Sequence, residues 1–470
     1  MRFRSAFIIL GAVGLLSGLA LLPLEFRVGK LFQIKRVDLL AGIREPPLRP
    51  TVFSERAARA FRIARSIPTA KRRPKIPAVP DGAVVVQPLE MSKAGVLDPF
   101  FAALSRLRRG ETPVRIAYFG DSIVEGDLIT QDLRAALQRT FGGNGPGYLP
   151  ITSEVASFRI TVRHDFSSSW TTSSILQRKR PAPVGIAGLV FLPNCRREEG
   201  VEPLCEAWVE YGTTRLWPAF QEIQSLRLFY SGAEPPAAVE WTADDQPPQF
   251  LDLEPGEGVK EAVIRPETPA RRLRLVVRGR NAFPVYGCSW ENDGGIMLDN
   301  FALRGNSGLA LTEIPGAMLR AFHRLLHYDL IILHFGVNVS SAETRDYSWY
   351  KAGMARVIAH FRSALPDTPI LLISAGDRST KDRADYVTIP TLPALVEAER
   401  QAAEEGGAAF WDLYGAMGGL NSMVAWVKHK PPLAALDYTH LSSAGSRRVA
   451  DFLYNALLSR YKYYEQNHVR

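Results

Sequence analysis

The feature that most constrains the fold of this chain is an alternation of apolar runs and amphipathic segments between residues 114 and 460. The first apolar run, Val114–Phe119, is followed by a segment with helical spacing near Leu128–Phe141. Strands that alternate with helices form a parallel sheet covered by helices on both faces. The pattern therefore predicts an α/β domain of three layers, α/β/α, around a five-stranded parallel sheet.

Four more strand–helix pairs complete this prediction. The predicted strands are Gly295–Leu303, Asp329–Phe335, Pro369–Ser374 and Ala408–Leu413. The predicted helices that follow them are Glu313–His327, Tyr347–Leu365, Pro393–Gly406 and Ala444–Arg460. A further amphipathic segment, Pro99–Arg109, precedes the first strand and is expected to pack on the same domain.

Residues 151–294 have a different pattern of residue types. Short runs rich in Val, Ile, Thr, Phe and Trp are separated by Gly, Pro and Asn, which is the spacing of an all-β domain. We predict a β-sandwich inserted after the first helix of the α/β domain. Its tryptophans either stack on sugar rings or fill the core, the commoner use; they are Trp170, Trp208, Trp217, Trp241 and Trp290.

The N-terminus predicts export. Arg2 and Arg4 precede the uncharged segment Ala6–Leu24, which has the length of a membrane span and no clear cleavage site. An uncleaved anchor is favoured over a signal peptide, with the rest of the chain outside the cytoplasm. The predicted organisation is an anchor or signal at 1–24, a basic Pro-rich stalk at 25–95, the α/β domain at 96–150 and 295–470, and the insert at 151–294.

The net charge of +9 is not evidence for a nucleic-acid partner. Residues 1–80 contain 16 lysines and arginines against four acidic residues, so the excess of positive charge belongs to the N-terminal arm. Neither zinc-finger spacing nor an aromatic-basic RNA-binding pattern accompanies it. We therefore expect a membrane partner through residues 6–24 and no nucleic-acid partner.

Three cysteines do not make a disulfide framework. Cys195 and Cys205 lie ten residues apart and either close a small ring in an oxidising compartment or remain two buried thiols. Cys288, beside Trp290, is expected in the core. No histidine has a second ligand at metal spacing, so we predict neither a metal nor a cofactor.

Candidate catalytic residues lie at the carboxyl ends of predicted strands, where open α/β folds place their sites. Ser122 follows the first strand in "YFGDSIVEGD", and His440 with Asp437 precedes the last helix. A serine hydroxyl needs a base held in one tautomer to become a nucleophile. His440 is the candidate base, and Asp437, three residues earlier, is the candidate that orients it.

The oxyanion that forms during acyl transfer needs fixed hydrogen-bond donors. We predict three: the backbone N–H groups of Ser122 and Gly305 and the side-chain amide of Asn338. A G-D-S triplet alone is usually an ordinary turn, and a lone D-x-x-H is usually a surface or capping feature. Ser307 is not a candidate nucleophile, because the G-x-S-x-G elbow of α/β-hydrolases is absent around it.

Taken together, the blocks "GDSIVEG", "NFALRGNSG", Gly336-Val337-Asn338 and "DYTHLSSAG" resemble those of the SGNH, or GDSL-type, hydrolase family. The third block departs from the family pattern, since Val339 stands where Asp usually follows Asn. The resemblance implies a flavodoxin-like sheet and ester hydrolysis through an acyl-serine at Ser122.

The inserted β-sandwich is similar in position to the carbohydrate-binding-like module of bacterial peptidoglycan O-acetylesterases. That likeness implies an exported carbohydrate O-acetylesterase that acts on an acetylated cell-envelope polysaccharide, with peptidoglycan favoured. Two alternatives stay open at this point: an SGNH-type O-acyltransferase that acts on an envelope glycan, and a non-catalytic glycan-binding protein of the envelope.

Overall fold

The computed structural model describes residues 87–468, apart from Glu198. The anchor or signal predicted at 1–24, and the predicted stalk up to residue 86, lie outside these residues. Within the described part of the chain, no helix is both long enough and apolar enough to cross a membrane.

The elements are numbered here in chain order. The strands are β1 Glu90–Met91, β2 Val114–Gly120, β3 Gly143–Leu149, β4 Arg163–Phe166, β5 Trp170–Ser174, β6 Leu189–Pro193, β7 Cys195–Arg196, β8 Leu204–Gly212, β9 Ser225–Tyr230, β10 Ala237–Ala243, β11 Gln249–Asp252, β12 Lys260–Ile264, β13 Arg272–Gly279, β14 Val285–Ala302, β15 Leu330–His334, β16 Ile370–Ile373, β17 Ser379–Asp382, β18 Asp385–Thr388 and β19 Ala409–Trp411. The α-helices are α1 Asp98–Arg108, α2 Thr130–Phe141, α3 Gly316–Leu326, α4 Ser348–Ala364, α5 Leu392–Gly406, α6 Leu413–Met417, α7 Ser422–Lys428 and α8 Ser443–His468.

The central sheet has the order β1-β19-β16-β15-β2-β14 and continues through β14 into the strands of residues 143–302. The pairings of β14 with β2, β2 with β15, β15 with β16, and β16 with β19 are all parallel. All seven residues of β2 are buried, as expected for a strand covered on both faces. The α/β class predicted from the sequence is confirmed.

Alternate side chains of β2 enter two different hydrophobic clusters. Ala117 and Phe119 pack in a cluster with residues of α3, α4 and α5, whereas Ile116 and Tyr118 pack in a second cluster with residues of α1, α2 and α8. Because successive side chains of a strand point to opposite faces, one short strand organises both helical layers. The carboxyl end of β2 is thereby fixed from both sides, and Ser122 follows directly after it.

Most predicted elements agree with the observed bounds within three residues. Helix α2 starts at Thr130 rather than Leu128, because Asp127 and Ile129 have positive φ angles of 70° and 61° that a helix does not accommodate. Helix α8 extends to His468, beyond the predicted end at Arg460. The strand predicted at Gly295–Leu303 is the second half of the longer β14.

Residues 87–91 lie against the α/β domain, although the stalk was predicted to continue to residue 95. Strand β1 pairs antiparallel with β19, and the indole of Trp411 donates a hydrogen bond to the carbonyl of Gln87 at 3.1 Å. Arg400 also forms an ion pair with Glu90 at 2.8 Å. Pairing to an open sheet edge uses backbone groups, so it leaves no pattern of apolar residues in the sequence from which it could be predicted.

The residues between α2 and the second half of β14 form two β-sheets around one hydrophobic cluster. Leu228 and Trp290 from the sheet that contains β9 and β14 share this cluster with Val209 and Leu275 from the sheet ordered β11-β10-β13-β8-β4. Strand β14 belongs to both this region and the central sheet, so the boundary predicted between residues 294 and 295 falls inside one strand.

Three of the five tryptophans proposed above as sugar-stacking candidates are core residues. Trp170, Trp241 and Trp290 are buried, and one face of the Trp208 ring is covered by the guanidinium of Arg274, whose central carbon lies 3.8 Å from the ring centroid. Cys195 and Cys205 form a disulfide, which resolves the choice left open by the sequence. Cys288 is a free, buried thiol in the same cluster as Trp290, as predicted.

Candidate active site

Ser122 is presented by a tight turn at the end of β2. Gly120 is required there, because a Cβ atom at this position would lie 2.2 Å from a methyl carbon of Val124. The side chain of Asp121 shapes the turn, since its Oδ1 accepts a hydrogen bond from the N–H of Ile123 at 3.0 Å. Ser122 is left partly exposed at the carboxyl edge of the sheet.

The structure brings Ser122, His440 and Asp437 together. Oγ of Ser122 lies 3.0 Å from Nε2 of His440, and Nδ1 of His440 lies 2.7 Å from Oδ2 of Asp437. The second contact is local, whereas the first joins residues 318 positions apart. A hydroxyl, an imidazole and a carboxylate in this order have the geometry for activation of the serine by general base catalysis.

The segment Asp437–His440 is a compact turn with the carboxylate of Asp437 at its centre. Partial burial disfavours ionisation of this carboxyl, but hydrogen bonds from the N–H groups of His440 and Thr439 and from the His440 ring outweigh that cost, so the pKa of Asp437 is lowered. The carboxylate is therefore charged at neutral pH and fixes the tautomer of His440 that leaves Nε2 free to accept a proton.

Asn338 lies behind the nucleophile turn and is linked to two of its neighbours. Its Nδ2 donates to the carbonyl of Asn306 at 2.9 Å and to Oδ2 of Asp121 at 3.1 Å. Gly305 immediately precedes Asn306, is exposed, and has a φ of +76°. The loop that carries it is tied to the end of β2 by a hydrogen bond from Leu303 N–H to the carbonyl of Gly120 at 3.0 Å. The predicted oxyanion donors thus belong to three adjacent loops.

Asp121 is a further buried residue of the site. Its side chain is 1% exposed, and burial raises its pKa to about 7, although the hydrogen bonds from Ile123 and Asn338 and the proximity of His440 oppose the shift. Both amide hydrogens of Asn338 already have acceptors. Donation from Asn338 to an oxyanion therefore requires that one of these bonds be shared or released.

Arg378 is a site residue that sequence reasoning missed. Its guanidinium donates to the carbonyls of Val337 and Ser340 at 3.2 and 3.1 Å and to Oγ of Ser340 at 2.9 Å. It also donates to Oγ1 of Thr439 at 3.2 Å. One side chain therefore joins the loop of Asn338 to the loop of His440. No motif marks this arginine, and only the folded arrangement of the two loops reveals its contacts.

Two acidic residues near the site were also missed. Glu399 is buried beneath the Asn338 loop, where its carboxyl accepts from the N–H of Ala375 at 2.9 Å and burial raises its pKa well above the usual value. Glu125 has only 15% of its side chain exposed and forms an ion pair with Arg304. It lies next to Gly126 on the turn that follows Ser122.

Two other histidines of the described residues, His334 and His164, have hydrogen-bond partners outside the candidate site. Burial lowers the pKa of His334 and of His164 to about 4 in each case. His334 Nδ1 lies 2.9 Å from the hydroxyl of Tyr118, and His164 Nε2 bonds to the carbonyl of Ile151 at 3.0 Å. Across residues 87–468, no group of three or more His, Cys, Asp or Glu side chains is placed to hold a metal ion.

Comparison with known protein families gives one match. Residues 268–448 match the GDSL-like Lipase/Acylhydrolase family. This range contains Gly305, Asn338, Asp437 and His440, whereas Ser122 lies before it, on the other side of the β insert. No curated protein sequence matches the chain.

Among solved structures, a peptidoglycan O-acetylesterase is similar to this protein with a TM-score of 0.63 and 21% sequence identity, over 80% of this chain and 99% of that one. An acetyl xylan esterase aligns with 34% of this chain and 80% of its own at 19% identity and a TM-score of 0.25. A salicylyl-acyltransferase from a tetracycline biosynthetic pathway aligns with 63% of this chain and 98% of its own at 14% identity and a TM-score of 0.26. The first match supports the fold, and the other two carry no weight.

Proposed function

We propose that this protein, whose match to the GDSL-like acylhydrolase family confirms the resemblance seen in its motifs, is an exported serine esterase that removes O-acetyl groups from a cell-envelope polysaccharide. The observation that carries the proposal is the relay of Ser122, His440 and Asp437, with contacts of 3.0 and 2.7 Å. The fold shared with a peptidoglycan O-acetylesterase supports peptidoglycan as the polymer.

In the proposed reaction, His440 Nε2 takes the proton of Ser122 as Oγ attacks the acetyl carbonyl. The negative charge that develops on the carbonyl oxygen is accepted by the N–H groups of Ser122 and Gly305 and by the amide of Asn338. The C–O bond to the sugar then breaks, and the sugar oxygen leaves with the proton from His440. A water molecule that gives a proton to the same imidazole attacks the acetyl-serine and releases acetate.

Solvent access favours water as the final acceptor over a second glycan. The side chains of His440 and Asp437 are 42% and 50% exposed, so the acyl-serine would form at a site open to water. Acyl transfer to a glycan remains a competing outcome, and release of acetate from a labelled acetyl donor separates it from hydrolysis. The intact relay is an argument against the other alternative, a non-catalytic glycan-binding protein.

The test uses Ser122→Ala and His440→Ala in the protein from about residue 87 onward. Each variant is expected to lose turnover of an aryl acetate and of O-acetylated peptidoglycan without loss of the folded state, because both side chains are at the surface of the site. Acetylated plant-type glycans provide the comparison substrate. Turnover at the wild-type rate by folded Ser122→Ala protein would refute the assignment.

The location of the protein is part of the proposal. Residues 6–24 would anchor the chain in the inner membrane, with the enzyme body in the periplasm or another extracytoplasmic space, where the polymer lies. Fractionation of cells that express the full chain, with protease added to the outside of spheroplasts, tests the anchor and the orientation. Digestion of the body only after the membrane is lysed would contradict it.

A further inference from the structure

A cleft of about 360 Å³ lies beside the nucleophile turn, between the α/β domain and the β insert. Glu125, Gly126 and Arg304 line it on the side of the α/β domain, and Ser153–Val155, Thr172 and Gln177 line it on the side of the insert. Its volume is within the range of small-molecule sites. Ser122 is not part of its wall, so the cleft is a separate space next to the reacting group.

The cleft begins close to Ser122. Glu125 follows Ser122 by three residues, which places their Cα atoms at most about 11 Å apart even in an extended chain. The segment is more compact than that, because Val124 N–H bonds to the carbonyl of Asp121. A polymer with one acetylated sugar at Ser122 would therefore place a neighbouring sugar at the cleft.

The wall formed by the insert combines polar side chains with apolar ones such as Leu176 and Leu189. Thr172 and Gln177 are exposed and offer hydroxyl and amide groups, and the hydroxyl of Thr172 lies 2.9 Å from that of Thr152. On the opposite wall, Glu125 and Arg304 form an ion pair, so their charges largely offset each other. A sugar ring, which carries hydroxyl groups around an apolar face, fits such a mixed lining.

An exposed aromatic side chain stands next to this cleft. Phe158 is 75% exposed, and its Cβ would lie 3.7 Å from a Cβ built on Gly126. It belongs to the 3-10 turn Ala156–Phe158 of the insert, so a residue of the insert contacts the turn that presents the nucleophile. An exposed phenylalanine beside the cleft offers a flat apolar face.

A buried carboxylate anchors the segment that follows Phe158. Asp127 accepts hydrogen bonds from Thr161 at 2.8 Å and from Arg159 at 3.2 Å, both in the insert, and from Arg134 in α2 at 2.8 Å. Burial disfavours the charged carboxyl, but the two arginines outweigh burial and hold the pKa of Asp127 well below its usual value. The segment that follows Phe158 is therefore tied to Asp127, five residues after Ser122.

We propose that the cleft between Glu125 and Thr172 binds a sugar ring of the polymer next to the acetylated one, and that Phe158 stacks on the apolar face of a ring. The proposal rests on the proposed function and adds to it the place where the β insert contributes to substrate binding. Because the backbone next to Phe158 is already anchored through Arg159 and Thr161, binding orders little more than the ring itself, which suits recognition of a polymer.

The experiment compares Phe158→Ala with wild type on O-acetylated peptidoglycan and on an aryl acetate. Loss of the stacking face is expected to lower kcat/KM on the polymer roughly 3- to 10-fold, through KM, and to leave the aryl acetate unaffected. Phe158→Tyr should retain wild-type values. Phe250→Ala is the matched control, since Phe250 is 67% exposed on the far strand β11 of the insert.

A binding measurement separates this inference from the proposed function. Ser122→Ala protein is sedimented with O-acetylated peptidoglycan sacculi, alone and combined with Phe158→Ala or Gln177→Ala, so that the result does not depend on turnover. Weaker sedimentation of both double variants supports the cleft as the subsite. Equal sedimentation, unchanged polymer kinetics of Phe158→Ala, or an equal loss on the aryl acetate would overturn it.

Discussion

The guanidinium of Arg378 bonds to Oγ1 of Thr439 at 3.2 Å while it also holds the Asn338 loop at Val337 and Ser340. It therefore sets the separation of the candidate base His440 from the candidate oxyanion donor Asn338. In place of the Asp that usually follows Asn in the third block, this chain has Val339, and the arginine bonds to Val337 before it and to Ser340 after it. Arg378 is accordingly a positioning residue rather than a catalytic one.

Replacing Arg378 by Gln is expected to lower kcat on an aryl acetate about 10- to 100-fold, because a displacement of about 1 Å in a catalytic group costs this much. KM should change little, and Arg378→Lys should recover part of the rate. Arg108→Gln is the control, since Arg108 forms an exposed ion pair with Glu465 at the other end of the domain. A wild-type kcat for Arg378→Gln would show that the two loops hold their positions without it.

Replacing Asp437 by Asn is expected to lower kcat about 10²- to 10⁴-fold, because an amide in this place no longer stabilises the imidazolium or selects the tautomer of His440. The midpoint of thermal unfolding should stay close to the wild-type value, since the side chain is half-exposed. Asp385→Asn, on the nearby hairpin, is the matched exposed control. Rates within a few fold of wild type would exclude Asp437 as the orienting group.

The buried carboxyl of Asp121 predicts a specific pH dependence of stability. Its folded pKa of about 7 lies above the ordinary value of 3.8, so its contribution to stability is fully present below about pH 4 and is lost as the pH rises through 7. The free energy of unfolding of wild type relative to Asp121→Asn should fall between pH 4 and pH 8 by up to about 4 kcal/mol. Denaturant titrations at several pH values measure it, and a pH-independent difference would contradict the prediction.

Gly336 precedes the candidate oxyanion donor by two residues and has no room for a side chain. At its φ of +114°, a Cβ would lie 2.5 Å from Oε1 of Glu399 and 2.7 Å from Cβ of Ala375. Gly336→Ala should lower kcat at least 10-fold, since the Asn338 loop must move, and should lower the free energy of unfolding by about 1–3 kcal/mol.

Substitution of Gly336 has two possible effects, backbone strain at a positive φ and a steric clash of the new Cβ. Gly258→Ala, between β11 and β12, is the control for strain alone. Gly258 has a φ of +82°, and a Cβ at this position would meet no atom within 4 Å, so its substitution adds backbone strain without a clash. Gly258→Ala should lower the free energy of unfolding and leave kcat unchanged. An unchanged kcat in Gly336→Ala as well would show that a side chain next to Glu399 and Ala375 does not displace the Asn338 loop.

Features that arise from short-range patterns were predictable from the sequence. The periodicity of apolar residues located β2 and the helices, because burial of one face repeats every two or every 3.6 residues. The contact of Asp437 with His440 was also predictable from the sequence, because the two residues are three positions apart in one turn. The place of Ser122 after a strand, the donors that an oxyanion needs and the family resemblance all indicated Ser122, Gly305 and Asn338 as candidates, but not their distances.

The way in which the loops of Ser122, Asn338 and His440 meet is visible only in the folded structure. The contact of Ser122 with His440 joins positions 318 residues apart, and the β insert separates Ser122 from the family match. Arg378 and Phe158 have no sequence signature, because a polar or exposed side chain shows no periodicity and gains its role from a loop that arrives from elsewhere. The packing of the helices on both faces of the central sheet determines which loops meet at its carboxyl edge. That packing depends on the whole chain.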